Sequence, residues 1–319
     1  MPLLVVGSIA IDSIESPHGS CPEILGGSAT HFSLTAALFT RVKLVGVVGE
    51  DFPEDYLRVL RSRDICLDGL QILPGRSFRW SGRYEGSMAQ AETLSVELNL
   101  FGTFEPTLPE HYRDTPFVFL ANGSPHVQRK VLEHVRDEPF VLLDTMNLWI
   151  ETERRALVEL LGRVDALVIN DEEIREFTRE ANLMRAGRAV QAMGPHTVVI
   201  KKGEHGALLL HEDEVFAAPA VPLAEVRDPT GAGDTFAGGF MGTLARVGHK
   251  RPDLEDLKLA VSVGTVCASF NVEDFGPNRI RHLEPAELLE RYERYLRMLQ
   301  VSGAPLLNAS LLPVSEHTV

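Results

Sequence analysis

Six short apolar runs constrain this chain more than any other feature. They are Leu3–Gly7, Lys43–Gly49, Phe117–Ala121, Phe140–Asp144, Ala166–Asn170 and Thr197–Lys201, each five to seven residues long. They are continuous rather than alternating, the pattern of strands buried on both faces of a parallel sheet. Helical stretches lie between them at Ser28–Phe39, Glu54–Arg63, Val127–Arg136, Glu151–Leu161 and Asp171–Thr178. This alternation predicts an α/β fold: a doubly wound, mostly parallel sheet with helices on both faces. From Thr230 onward the pattern is helical, with candidates at Gly231–Arg246, Leu254–Phe270 and Pro285–Leu299.

One region breaks the rhythm. Residues 78–85 (FRWSGRYE) and 93–100 (TLSVELNL) alternate apolar and polar, as strands do when one face is covered and the other wet. They predict a small antiparallel sheet inserted in the body, with Gly86–Glu92 as the connection. Two readings stand: an ordinary edge hairpin, or a lid that shields a reaction from water. The tail 301–319 has no period and is expected to be peripheral.

Composition narrows the function classes. The 319 residues carry 31 Lys+Arg against 45 Asp+Glu, a net charge of −14. With no basic run, a general nucleic-acid binder is excluded. With 44% apolar residues, disorder of the whole chain is excluded. Cys21, Cys66 and Cys267 are few, odd in number and far apart, which fits a reducing compartment. The apolar start is too short for a leader or a membrane span. A cytoplasmic protein without a membrane partner is the expectation.

The sharpest motif is Arg227-Asp228-Pro229-Thr230-Gly231-Ala232-Gly233-Asp234, followed by TFAGGF. A Gly-Ala-Gly turn at a helix start leaves backbone N–H groups unpaired and aimed outward, a site for an anion such as a phosphoryl group. Asp234 falls in the first helical turn. There it can serve as general base to an attacking hydroxyl, or merely complement the helix dipole while Thr230 caps the helix. The segment is neither a Walker A loop nor a GxGxxG fingerprint.

DPTGAGDTFAGGF resembles the C-terminal signature of the ribokinase/PfkB family of sugar kinases. Gly26-Gly27-Ser28-Ala29-Thr30, after Gly7-Ser8-Ile9-Ala10-Ile11-Asp12, is similar to that family's N-terminal motif. The resemblance covers about residues 3–300. It implies a ribokinase-like kinase domain over 1–300 with an inserted β lid (about 12–25 and 72–102). It also implies ATP-dependent transfer of the γ-phosphoryl group to an alcohol. By resemblance Asp234 is the catalytic base, and the backbone of Gly231, Ala232 and Gly233 is the anion hole.

The resemblance assigns further roles. Asn170 and Glu173, in Asn170-Asp171-Glu172-Glu173, correspond to an element that arranges Mg²⁺ through water; the same spacing also makes a helix capping box. Lys202, Gly203 and Gly206 would belong to the ATP loop with Thr230, or simply form a hairpin turn. The run FNVEDFG (270–276) falls where the family closes over adenine. Asp228 lies where some relatives hold a monovalent cation, so K⁺ joins ATP and Mg²⁺ as an expected cofactor. On the acceptor side, Asp12 would bind substrate hydroxyls and Gly26 and Gly27 would allow close approach. His31 stands where relatives often carry Asn, as a substrate contact or a buried structural histidine. Asn122, Asp144 and Asn147 follow strand ends and line the same cleft or serve turns.

Other features carry less. His211-Glu212-Asp213-Glu214 reads as a solvated hairpin tip rather than a metal site. Arg291, Arg294 and Arg297 read as a solvated helix face. The expected partner is a small sugar or nucleoside acceptor, and an apolar outer face on the lid would make a homodimer. Alternatives are an adenosine-type nucleoside kinase and a non-catalytic nucleotide sensor on the same fold. A dinucleotide-dependent dehydrogenase lacks its glycine fingerprint.

Overall fold

The computed structural model describes residues 1–300 apart from 87 and 89, so the tail and part of the 86–92 connection lie outside the described residues. The chain begins β1 (Leu3–Val6), β2 (Ala10–Ser16), β3 (Gly19–Gly26), α1 (Ser28–Ala36), β4 (Val42–Gly49), α2 (Glu54–Ser62), β5 (Cys66–Leu73), β6 (Phe78–Tyr84) and β7 (Ala91–Glu97). It continues β8 (Phe117–Leu120), α3 (Pro125–His134), β9 (Phe140–Asp144), α4 (Asn147–Thr152), α5 (Arg154–Leu161), β10 (Ala166–Asn170), α6 (Asp171–Thr178) and α7 (Leu183–Gln191). It closes with β11 (Thr197–Lys201), β12 (Ala207–His211), β13 (Glu214–Ala218), α8 (Ala232–Val247), α9 (Leu254–Asn271) and α10 (Pro285–Leu299).

Nine strands form the main sheet, in the order β13-β12-β11-β10-β9-β8-β1-β4-β5. The strands from β11 to β5 pair in parallel, and β12 and β13 add an antiparallel edge. Successive residues of one strand serve opposite cores. Leu3, Val5, Phe117 and Phe119 pack with α1, α8 and α9, while Leu4, Val6, Val118 and Leu120 pack with α3, α5 and α6. Both faces are therefore covered, which is why these runs are apolar throughout.

The small sheet has the order β3-β2-β6-β7. Two antiparallel hairpins, β2–β3 and β6–β7, join through a parallel pairing of β2 with β6. Tyr84 packs with Ile14 and Ile24 on its covered face, whereas Leu94 and Val96 are exposed. The second alternating run ends sooner than its pattern predicts: after Glu97 the chain turns into a 3₁₀ segment over Asn99–Thr103. Phe78 likewise stacks on Phe101, with centroids 5.4 Å apart.

Two helical expectations are corrected. Glu151–Leu161 is not one helix but two, because Glu153 leaves the helical region between α4 and α5. Arg291 is not solvated. Its guanidinium lies 3.5 Å from the Phe270 ring centroid and donates to Glu273 at 2.6 Å, so it joins α10 to the end of α9. Arg294 and Arg297 do face solvent, each near a glutamate one turn earlier.

Candidate active site

The C-terminal edge of a doubly wound sheet is where ligands bind, and the charged residues of this chain meet there. Asp144 ends β9, Asn170 ends β10 and Lys201 ends β11, with Asn170 and Lys201 in direct register. Helix α8 aims its N-terminus at the same edge. It packs closely on α9: a Cβ on Gly239 would lie 2.9 Å from both Gly264 Cα and Cys267 Sγ. Only small residues allow that approach, and it fixes where the GAGD turn sits.

Gly231 caps α8 in the left-handed region, φ 74°. The Ala232 amide donates to Pro229 O at 3.1 Å within the turn. The amides of Gly231 and Gly233 have no backbone acceptor among the described residues. Asp228 shapes the turn from below: its carboxylate accepts Thr230 N–H and Gly276 N–H at 2.8 and 2.7 Å. Each Asp228 oxygen thus has a backbone donor, as in a clamp between two loops.

Asp234 is half-buried in the first turn of α8. Burial first, then repulsion from Asp144 and Glu173, pushes its carboxyl up to about 7, against the pull of Lys201. A base that titrates near working pH is suited to proton transfer. Asp12 lies within electrostatic reach on the small sheet. It is 4% exposed, and burial raises it to about 8 although the Gly27 amide favours its ionised form. A Cβ on Gly26 would overlap the Asp12 carboxylate at 1.9 Å, so glycine there is what lets the carboxylate lie across the chain.

Asn170 and Glu173 form the capping box: Asn170 Oδ1 accepts from the Glu172 and Glu173 amides, and Glu173 Oε2 accepts Asn170 N–H. The box does not use all of Glu173. Its side chain is buried and raised to about 7 by burial, with Lys201 opposing and Asp144 adding to the rise. Asp144 Oδ1 is buried without a hydrogen-bond partner, 3.6 Å from Lys201 Nζ. Glu173 and Asp144, the latter with an orphaned oxygen, are hard oxygen donors of the kind that hold a hydrated Mg²⁺ through its waters.

His31 proves to be a buttress. It is 1% exposed, and its Nδ1 donates to Asn271 Oδ1 at 3.0 Å. The same oxygen accepts from Thr235 Oγ1, and Asn271 Nδ2 donates to Thr230 O at 2.7 Å. That last bond fixes the amide's orientation and hence the histidine tautomer. Burial pulls the imidazole down to about 4, so it is neutral. Thr230 also donates through Oγ1 to Tyr84 Oη of the small sheet at 3.1 Å.

Other candidates have protein partners or packing roles of their own. Asn122 is taken up by Trp149 Nε1 and Met146 Sδ, and Asn147 donates to Glu176 on the surface. Gly206 is a packing glycine, its would-be Cβ 2.0 Å from Ala218 O, whereas Gly203 faces open space at φ 53°. Lys202 donates its amide to Gly206 O. In the 270–276 run, Asn271 buttresses the turn and Phe275 packs on the small sheet. Sequence reasoning passed over Lys201 in favour of its neighbour. The available signal was position: it is the one charged residue of a buried strand, at the edge where ligands bind.

A carboxylate with a raised pKa beside bare helix amides, with an ammonium opposite, is an arrangement suited to phosphoryl transfer to an alcohol. Residues 129–282 match the pfkB family carbohydrate kinase model. The chain is 32% identical over 252 residues to a cytidine kinase of Thermococcus kodakarensis, covering 76% of this chain and 88% of that one. It therefore belongs to the pfkB family of carbohydrate kinases. The fold matches the crystal structure of the Methanocaldococcus jannaschii nucleoside kinase, with a TM-score of 0.73 and 21% identity over 92% of this chain and 98% of that one. It also matches an Escherichia coli putative ribokinase II solved with ATP and Mg²⁺, with a TM-score of 0.75 and 18% identity over 93% and 99%.

Proposed function

We propose that this chain is an ATP-dependent nucleoside kinase, in which residues 1–300 act as one unit and the small sheet as its lid. The observation that carries the chemistry is Asp234, half-buried and titrating near 7, next to the acceptor-less amides of Gly231 and Gly233. The nucleoside reading is supported by the cytidine kinase to which the chain is similar and by a second relative, the M. jannaschii nucleoside kinase, 26% identical over 83% of each chain. Asp12 accepts hydrogen bonds from the acceptor's hydroxyls. Asp234 takes the proton of the attacking hydroxyl as its oxygen bonds to the γ-phosphorus, and ADP leaves with the electrons of the broken P–O bond. The amides of Gly231 and Gly233 hold the transferring oxygens. Glu173 and Asp144 would hold Mg²⁺ through water; when bound, the ion offsets phosphate charge. The lid excludes water that would otherwise hydrolyse ATP.

A coupled ADP-release assay over nucleosides, ribose, hexoses and inositol tests this. Turnover with a nucleoside and at least ~100-fold loss in Asp234→Asn, the scale of a missing general base, is the expected result. Turnover only with free sugars overturns the nucleoside reading, and no turnover at all returns the sensor reading. Light scattering tests a homodimer through the exposed Leu94 and Val96 face. Among the described residues no helix is long and apolar enough to cross a membrane.

A further inference from the structure

Lys201 sits where helix electrostatics disfavour it. A Cβ on Gly233 would lie 2.8 Å from its Nζ, so the ammonium stands against the first turn of α8. The N-terminus of a helix carries partial positive charge and favours anions. The carboxylates of Asp144, Glu173 and Asp234 offset that penalty. What remains is a helix end and an ammonium set against each other, two positive groups between which an anion such as a phosphoryl group would be favoured.

The ammonium is held by an ion pair with Asp144, but a long one. Its nearest carboxylate oxygen, Asp144 Oδ1, is 3.6 Å away, beyond a hydrogen bond, and that oxygen has no other partner. The lysine side chain keeps 19% of its surface exposed. It is anchored by the last residue of a fully buried strand, and Asn170 beside it in register belongs to the capping box. Attraction to Asp144, Glu173 and Asp234 outweighs burial and holds it protonated.

The geometry points to Lys201 as a catalytic residue that contacts the phosphoryl group during transfer, leaving its resting place beside Asp144 to do so. This deepens the kinase reading above and rests on it.

The test uses Lys201→Met, which keeps the length of the side chain and removes the charge, and Lys201→Arg, which restores charge. With the acceptor found in the panel, Lys201→Met is expected to lose at least ~100-fold in kcat, the scale of a lost transition-state donor, with KM for the acceptor within about three-fold. Lys201→Arg is expected to recover at least about ten-fold of that loss. Binding separates contact from fold: Lys201→Met should bind MgADP within about five-fold of wild type, yet lose at least ~50-fold in affinity for ADP with aluminium fluoride, a mimic of the group in flight. A Lys201→Met enzyme that keeps kcat within three-fold overturns the assignment. Equal losses for ADP and for ADP with aluminium fluoride also overturn it, since they mark a structural role. A wild type that phosphorylates no alcohol overturns both readings, whereas an active wild type with an indifferent Lys201 overturns only this one.

Discussion

Gly231→Ala puts a methyl group where the structure has no room for one. Two costs are separable. At φ 74° the backbone is left-handed, which costs a residue with a Cβ about 1–2 kcal/mol. The new Cβ would also lie 2.3 Å from the His31 ring. That ring is 1% exposed and hydrogen-bonded to Asn271; displacing it leaves a buried polar group unpaired, about 1–3 kcal/mol. Together the substitution should cost about 2–5 kcal/mol, a fall in Tm of roughly 3–8 °C for a chain of this size. Turnover should fall by ~100-fold, because the Gly231 and Gly233 amides move with the turn and ~1 Å of misplacement has that effect. The decisive assay is a double-mutant cycle by thermal denaturation. In a His31→Ala background the overlap is gone, so Gly231→Ala should cost only the backbone part, about 1–2 kcal/mol. Equal costs in both backgrounds would refute the steric argument, and a Tm within 2 °C of wild type would refute both parts.

Four other outcomes follow from the same geometry. Asp234 titrates near 7 and must be ionised to accept a proton, so kcat/KM should rise with pH through about 7 and level off above it; an acid limb below pH 5 would contradict the burial argument. The folded pKa values of Asp12 and Asp234, about 8 and 7, lie above those of the unfolded chain. The folded state therefore binds more protons between about pH 4 and 8, and ligand-free Tm should fall as pH rises from 6 to 8.5. Tyr84→Phe removes the acceptor of Thr230 Oγ1–H and should cost about 1 kcal/mol of lid closure, read as a roughly five-fold rise in acceptor KM with Tm nearly unchanged. Arg291→Ala loses a ring stack and a bond to Glu273 and should destabilise by about 1–3 kcal/mol, whereas Arg294→Ala on the exposed face should stay within about 0.5 kcal/mol by chemical denaturation.

Which parts of this were legible in the sequence follows from how local the cause is. All six apolar runs are strands of the main sheet, because burial on both faces writes itself into every residue of a strand. Helices α6 and α10 start and stop where their patterns do, each with a capping box at its start. β5 was hidden because an edge strand is half-covered: Asp68 and Gln71 interrupt its apolar residues. β2 and β3 were hard to see as strands because a bulge between Asp12 and Ile14 breaks their alternation. In the site, the GAGD turn is contiguous and could be read directly. The Lys201–Asp144–Glu173 cluster is assembled from two strand ends and the first turn of α6, and has no sequence spacing to read. His31 shows the same limit, since its partner Asn271 is 240 residues away.

That distance has a consequence for how the protein is made. The carboxamide of Asn271, at the end of α9, joins α1, the GAGD turn and the first turn of α8, at sequence separations of 240, 41 and 36 residues. During synthesis the sheet strands emerge first, and the catalytic turn stays unbraced until the ribosome has released residue 271. A nascent chain can therefore present nearly the whole scaffold before the turn is braced, and that bracing comes only when the last long helices dock.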